Sequence, residues 1–442
     1  MIAKVPANRP KKPWFLVVRN RKQTGYNPWN RFAVKQSSRK KVQVSISEFS
    51  KEIYLDNHAT TAVDPRVLEA MVPWMLTEYA NPGSVTHQAG RRAAGIVEQS
   101  KQRMLELLGN PDADLVFTSG ATESINLALL GFCLHPRQKR RGVLIGSIDH
   151  KAVLDCGKKL GKSGFQVRGI EPTSSGLYDP DLLSESLEND IAMVSLILGN
   201  NEIGTLQDMR AIAQRCRSHG VTLHLDATQA VGKIPIDARS IGADLLSFSA
   251  HKFYGPRGVG GLLICNPDLR IAPIIVGGGH QNNLRSGTLN TPGIVGMCRA
   301  LEISIEQLPS ELPRIAGLRD RLWSKLQTGI LGLKLNGPMW CEQNPKDGSA
   351  WNRLPGNLNV EFPKVDGQSL MLKLPNLAVS SGSACTSAEP HPSHVLMGIG
   401  LSQDQARCSL RFGIGRFNTE AQIDIATEQI LLAYQELLQF VG

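Results

Sequence analysis

The sequence predicts an α/β protein with a mostly parallel central sheet and a smaller second domain, and three observations carry that expectation. Between residues 66 and 305, short apolar runs alternate with helical stretches across Gly- and Ser-rich turns, the rhythm of strand–helix–strand units. Residues 191–198 are apolar except for Ser195, as a parallel strand buried on both faces requires. A length of 442 residues with 41% hydrophobic content gives two or three domains at roughly 100–200 residues each, with ample core.

In chain order, residues 115–118 read as a strand that breaks at Ser119-Gly120 into a helix over 121–130. Strands follow at 142–146 and 191–198, then a helix at 209–219 and strands at 221–225, 244–249 and 260–265. A helical stretch from Pro309 to Thr328 marks a hinge to the second domain. That domain runs through a strand at 358–362 to a last amphipathic helix beginning at Thr419. The longest apolar runs fall far below the ~20 residues a membrane helix needs, which excludes a transmembrane protein.

Charge is unevenly placed. Residues 1–50 hold 12 Lys and Arg against one acid, Glu48, while the rest of the chain holds 37 basic and 38 acidic residues. A nucleic-acid enzyme is expected to carry basic surface on its folded body, and here the excess sits in the N-terminal extension alone. That extension mixes Pro, Arg, Lys and Asn without a sustained period, so it is expected to be mostly disordered. Its Arg-rich, acid-poor makeup fits a solvated extension, an organelle transit peptide or a misplaced start, so the expected compartment is the cytoplasm with an organelle as the alternative. Eight Cys without CxxC or zinc-ligand spacing predict reduced thiols, most of them buried, and no structural metal.

Ligands of open α/β sheets bind beyond the carboxyl ends of the strands, so polar residues just after strands carry the chemistry. Ser119-Gly120-Ala121-Thr122-Glu123-Ser124 opens a helix whose free N–H groups suit a phosphate, although an ordinary capped helix reads the same way. Asp226, heading Asp226-Ala227-Thr228-Gln229, needs a metal, an Arg or a protonated ring nitrogen as partner, unless it merely caps its turn. Lys252, in Ser249-Ala250-His251-Lys252, stands where a desolvated amine forms a Schiff base. His150 follows the strand at 142–146 and is by itself as compatible with a structural role. Cys385 sits in Ser380-Ser381-Gly382-Ser383-Ala384-Cys385-Thr386-Ser387, a small-residue setting that suits an exposed, moving thiol. A phosphate cradle, a carboxylate for a ring nitrogen and a Schiff-base Lys are together what pyridoxal phosphate requires.

With these motifs in order, residues 53 to about 438 resemble the cysteine desulfurases of the NifS/IscS group, within the fold-type I, class V aminotransferase-like enzymes. The match extends to Tyr54-Leu55-Asp56-Asn57-His58-Ala59-Thr60-Thr61, Asn200-Asn201-Glu202-Ile203-Gly204 and Arg285-Ser286-Gly287-Thr288. The resemblance implies a large cofactor-binding domain at 66–305 and a small C-terminal domain at 306–442. An arm at 51–65 would join the small domain, which would carry the persulfide loop at about 378–392. It implies pyridoxal 5'-phosphate bound as a Schiff base to Lys252, with Asp226 at the pyridinium nitrogen and Gln229 and Asn201 near the ring hydroxyl. His150 would stack on the ring, Ala121, Thr122, Ser249 and His251 would bind phosphate, and Thr288 would reach the neighbouring subunit's phosphate in a homodimer. Arg411 would clamp the substrate carboxylate, with Arg416 a second candidate.

The implied reaction takes L-cysteine to L-alanine and leaves a persulfide on Cys385. The sulfur would pass to an acceptor protein, such as an iron–sulfur scaffold or a thiolation relay, with neither nucleic acid nor membrane as partner. Alternatives on the same fold are a selenocysteine lyase, a cystine C–S lyase or a non-catalytic paralogue acting as a scaffold.

Overall fold

The computed structural model describes residues 52–340, 352–381 and 392–440. The N-terminal extension and most of the expected persulfide loop, Cys385 included, lie outside the described residues. The strands are β1 (Ile53–Tyr54), β2 (Asp114–Thr118), β3 (Gly142–Gly146), β4 (Gln166–Ile170), β5 (Ile191–Ile197) and β6 (Thr222–Asp226). There follow β7 (Leu245–Ser249), β8 (Gly260–Ile264), β9 (Lys334–Leu335), β10 (Asn357–Glu361), β11 (Leu377–Ala378) and β12 (Ser409–Gly413).

Seven strands form the main sheet in the order β2-β8-β7-β6-β5-β3-β4. Strands β7, β6, β5, β3 and β4 run parallel, while β8 is antiparallel to both of its neighbours. The mostly parallel α/β sheet expected from the sequence is therefore present, and β5 is buried along its whole length. Its one polar residue is satisfied across the sheet. Ser195 Oγ lies 2.8 Å from His224 Nδ1 on β6, and His224 Nε2 lies 2.9 Å from Ser247 Oγ on β7. Burial pushes the His224 imidazole down to about 3, so it is neutral inside the sheet.

Strand β4 escaped the sequence reading because Gln-Val-Arg-Gly-Ile is an edge strand, largely exposed, without an apolar run. The helix expected over 121–130 is a helix at Ala121–Asn126 that widens into a π turn at Leu127–Gly131. The hinge helix is far longer than expected, running from Thr291 to Gly329 straight through Pro309 and Pro313. Each interior proline costs about 3 kcal/mol of helix stability. Burial at both ends offsets it: Ile294, Met297 and Leu301 belong to the core of the main sheet, and Leu318, Leu322 and Leu326 to a second core.

That second core packs against a three-stranded sheet, β12-β10-β9, and against the helix Glu420–Leu438. Thr419 and Gln422 close a reciprocal capping box at the start of this helix. The arm is tied here too: β1 pairs in parallel with β11, and Gly413 N donates to Leu55 O at 2.6 Å. Beyond Leu55 the arm crosses to the carboxyl ends of the main sheet, where Thr61 N donates to His251 O at 2.9 Å. No helix among the described residues is long and apolar enough to cross a membrane.

Candidate active site

Strand register gathers the chemistry-bearing turns at one edge. Thr118 on β2 and Ser249 on β7 both lie opposite Gly260 on β8, so the turns after β2 and β7 emerge side by side. A Cβ on Gly260 would stand 2.6 Å from Gly120 Cα, which only glycine avoids. Gly120 itself takes φ +153°, and a Cβ there would come within 3.4 Å of Ser249 Oγ. The result is a small-walled hollow with Ser249 Oγ on one side and the first residues of the next helix, Ala121 and Thr122, on the other. Glu123 of that helix pairs with Arg285 at 2.7 Å, so the Arg285-Ser286-Gly287-Thr288 segment is tied to the same turn. Burial works against the Glu123 charge, and Arg285 together with Ser119 outweighs it and holds the carboxyl below its usual range.

Lys252 follows β7 in a short 3-10 turn and points inward, where it meets the arm. Its Nζ donates to His58 O and to Ala59 O, both at 2.7 Å. Gln229 Nε2, three residues after β6 ends at Asp226, donates to the same His58 carbonyl at 2.8 Å. Two separate turns of the sheet thus place a lysine amine and a carboxamide on one oxygen. Asp226 is buried at the end of β6, with Oδ1 accepting from Thr228 N at 3.0 Å. Thr228 Oγ1 is buried and has no hydrogen-bond partner among the described residues.

His150 caps the helix Lys151–Lys162, its Nδ1 accepting from Ala152 N at 3.1 Å. That capping bond leaves any ring proton on Nε2. Asp149 beside it is buried, and desolvation pushes its carboxyl well above the usual range while Tyr178 and Ile197 hold Oδ1. His251 Nδ1 lies 3.1 Å from Thr60 Oγ1; burial and the nearby charges of Lys252, Lys233 and Arg257 push it down to about 4. The Asn201 backbone carbonyl accepts from Arg411 Nη1 at 3.0 Å. Thr288 is exposed.

The two candidate arginines differ sharply. Arg411 on β12 is buried, with Nη2 on Asp56 Oδ1 of the arm at 2.7 Å, and its backbone pairs with Ser380 at the start of the Gly/Ser loop. It stands beside the Asn201 turn, on the side where Lys252 and Gln229 converge on the arm. Arg416 is instead enclosed by Glu311 at 2.8 Å and Asp64 at 3.0 Å and stacks 4.1 Å from the Tyr254 ring centroid. Its charge is already matched by two carboxylates, so the geometry favours Arg411 for a substrate carboxylate. Cys385 is outside the described residues.

Sequence reasoning missed Lys233. It stands four residues after Gln229, and its Nζ donates to Gln229 Oε1 at 2.5 Å. Burial, then the charges of Lys252 and Arg411, push its amine well below the ordinary lysine range. The signal in the sequence was a Lys directly after Gly232 in the same turn, which reads as an ordinary surface charge. Lys252 and Arg411 make this edge electropositive, as an anionic ligand requires. The small-walled hollow at Ser249, the orphaned Thr228 hydroxyl, the buried Asp226 and the inward Lys252 fit a phosphorylated aldehyde with a basic ring nitrogen.

Fold and site together define a fold-type I protein of the pyridoxal-phosphate-dependent class. Residues 53–425 match the family described as aminotransferase class-V. The chain is 44% identical over 375 residues to a cysteine desulfurase IscS of Anaeromyxobacter dehalogenans (strain 2CP-C), covering 85% of this chain and 90% of that one. Among solved structures it is similar to a NifS-like protein, at TM-score 0.78 and 34% identity, covering 88% of this chain and 100% of that one. It is similar also to SspA in complex with cysteine, at TM-score 0.71 and 32% identity, covering 83% and 99%. The chain belongs to the class-V aminotransferase family, in its cysteine desulfurase group, a family that in general depends on pyridoxal phosphate.

Proposed function

We propose that this chain is a pyridoxal-phosphate-dependent cysteine desulfurase that converts L-cysteine to L-alanine and collects the sulfur as a persulfide on Cys385. The observation that carries the reading is the Lys252 amine turned inward onto the His58 and Ala59 carbonyls, sharing the first with Gln229. Lys252 would hold the cofactor, Asp226 its ring nitrogen, and Gln229 and Asn201 its ring hydroxyl. Ala121, Thr122, Ser249 and His251 would hold the phosphate, joined by Thr288 of the neighbouring subunit in a homodimer. When bound, the cofactor supplies an electron sink that makes the substrate α-proton labile.

The chain's own residues do the rest. Arg411 orients the substrate carboxylate through its guanidinium, in exchange for part of its contact with Asp56. His150, with Nδ1 occupied by the helix cap, would stack on the cofactor ring and use Nε2 for proton transfer. Lys252 Nζ would serve as the base for the α-proton. The Cys385 thiolate attacks the substrate sulfur, an S–S bond forming as the C–S bond breaks, and the carbon fragment takes up protons to leave as alanine. The sulfur then moves to an acceptor protein, such as an iron–sulfur scaffold or a thiolation relay, and the cytoplasm is the expected compartment.

Incubation with L-cysteine followed by peptide mass spectrometry should find one added sulfur on the peptide bearing Cys385, with alanine formed. The Cys385→Ala variant should lose at least a thousandfold in alanine formation. Retained alanine formation in that variant would point instead to a lyase that needs no protein thiol.

A further inference from the structure

We propose that Lys233 is a positioning residue: it holds the Gln229 carboxamide with its oxygen turned away from Lys252 and its NH2 turned toward the site. The inference deepens the pyridoxal-phosphate reading above and rests on it. Lys233 Nζ donates to Gln229 Oε1 at 2.5 Å, so the carboxamide presents its oxygen to Lys233. The same oxygen lies 3.2 Å from His58 Nδ1. With Lys233 Nζ on Oε1, Gln229 Nε2 points the other way, and one of its hydrogens goes to His58 O at 2.8 Å. Lys252 Nζ lies on that same carbonyl at 2.7 Å, which puts the Gln229 NH2 and the reactive amine side by side on one acceptor.

Without Lys233, the amide has weaker reason to choose between its two faces, since His58 Nδ1 is a longer contact. The backbone is shaped to bring Lys233 there. Gly232 takes φ +72°, and a Cβ on it would lie 2.6 Å from Phe253 Cβ, next to Lys252 in sequence. Lys233 then lines a small, mostly apolar cavity with His58, Tyr254, Glu311 and Leu354. It has no carboxylate within salt-bridge distance among the described residues; Glu311 is held by Arg416. A solvated surface lysine would not be half-buried in this way with its tip on Gln229 and no acid beside it.

The titratable and charged groups around Lys233 and Lys252 are His58 on the arm, His251 beside Lys252, Arg257 in the turn after it, Arg411 on β12 and Glu311 on the long helix. All of them stay in place in the variants below, so differences report on Lys233. Freeing the amide lets its oxygen turn toward Lys252, which leaves the Lys252 nitrogen easier to protonate, so its protonation midpoint moves upward.

The test is the pH midpoint of the visible absorbance of protein reconstituted with pyridoxal phosphate, alongside thermal melting. Lys233→Met should raise the midpoint by about one pH unit, tenfold in the protonation constant, with no loss of melting temperature, since an apolar side chain suits the cavity. Lys233→Arg, which keeps a donor, should stay close to the parent. In a Gln229→Ala background the Lys233→Met shift should largely vanish, because the two act as one unit. Should Lys233→Met not fold, Lys233→Ala serves in its place. An unchanged midpoint, or the same shift with and without Gln229, would overturn the positioning role. Parent protein that develops no cofactor band would instead overturn the cofactor reading itself, and this inference with it.

Discussion

At the scale of single residues, burial separates two arginines that look alike in the sequence. Arg416 sits between Glu311 and Asp64 with almost no solvent access. Burial pushes the Asp64 carboxyl upward, and the guanidiniums of Arg66 and Arg416 outweigh it, holding the carboxyl at about 2. Arg416→Met would leave buried carboxylates short of their cation, and a cost of about 3 kcal/mol is expected. Urea unfolding measures it, while the absorbance of bound pyridoxal phosphate should be unchanged. A loss under about 1 kcal/mol would mean that this cluster is better solvated than its burial implies. Arg411 is the contrasting case, because its partner Asp56 comes from the arm that also supplies the His58 and Ala59 carbonyls to Lys252.

At the scale of elements, the Ser195–His224–Ser247 ladder makes the parallel sheet sensitive to acid. The folded imidazole titrates near 3 against about 6.5 when unfolded, so the neutral form is favoured by folding. Its contribution is full above the unfolded value and is lost as pH falls through the window from about 6.5 to 3. Between pH 7 and 5 the expected loss is about 2 kcal/mol from this residue. Replacing Ser195→Ala, His224→Leu and Ser247→Ala together removes the polar ladder with its charge sensitivity, so the urea midpoint should vary less over that range. An identical pH slope in parent and triple variant would contradict the assignment.

The elements also explain what the sequence disclosed. Strands β2, β3, β5, β6, β7 and β8 were readable because each is a short apolar run ending in a turn, which is how a strand buried on both faces must look. Strand β4 and the first half of the long helix were not. In β4 one face is wet and the pattern is weak, and in the helix Pro309 reads as a start although tertiary burial carries the helix through it. For the site, Lys252, Asp226 and Gln229 were legible because each follows a strand that the sheet aligns at one edge. Lys233 was not, because the feature that matters is burial behind Gln229, which only packing reveals.

At the scale of the whole molecule, the site is assembled from distant segments. The arm contributes carbonyls, the main sheet contributes the amine, the carboxylate and the hollow, and β12 contributes Arg411. The Asn201–Gly204 turn shows how firmly these parts are joined. Its four successive carbonyls accept from Arg411, from Asn357 and Asn359, from Arg353 and from Leu354 N, all of them from the C-terminal part of the chain. Arg353 is fully buried there, and desolvation lowers its guanidinium to about 9. A catalytic edge built this way is held by the fold rather than formed by the ligand.

The account turns on which amine captures the cofactor. Borohydride reduction of the protein after incubation with pyridoxal phosphate, followed by peptide mapping, reads this directly. The account predicts a single reduced adduct on Lys252. An adduct on Lys233 or on any other lysine, with Lys252 unmodified, would contradict it.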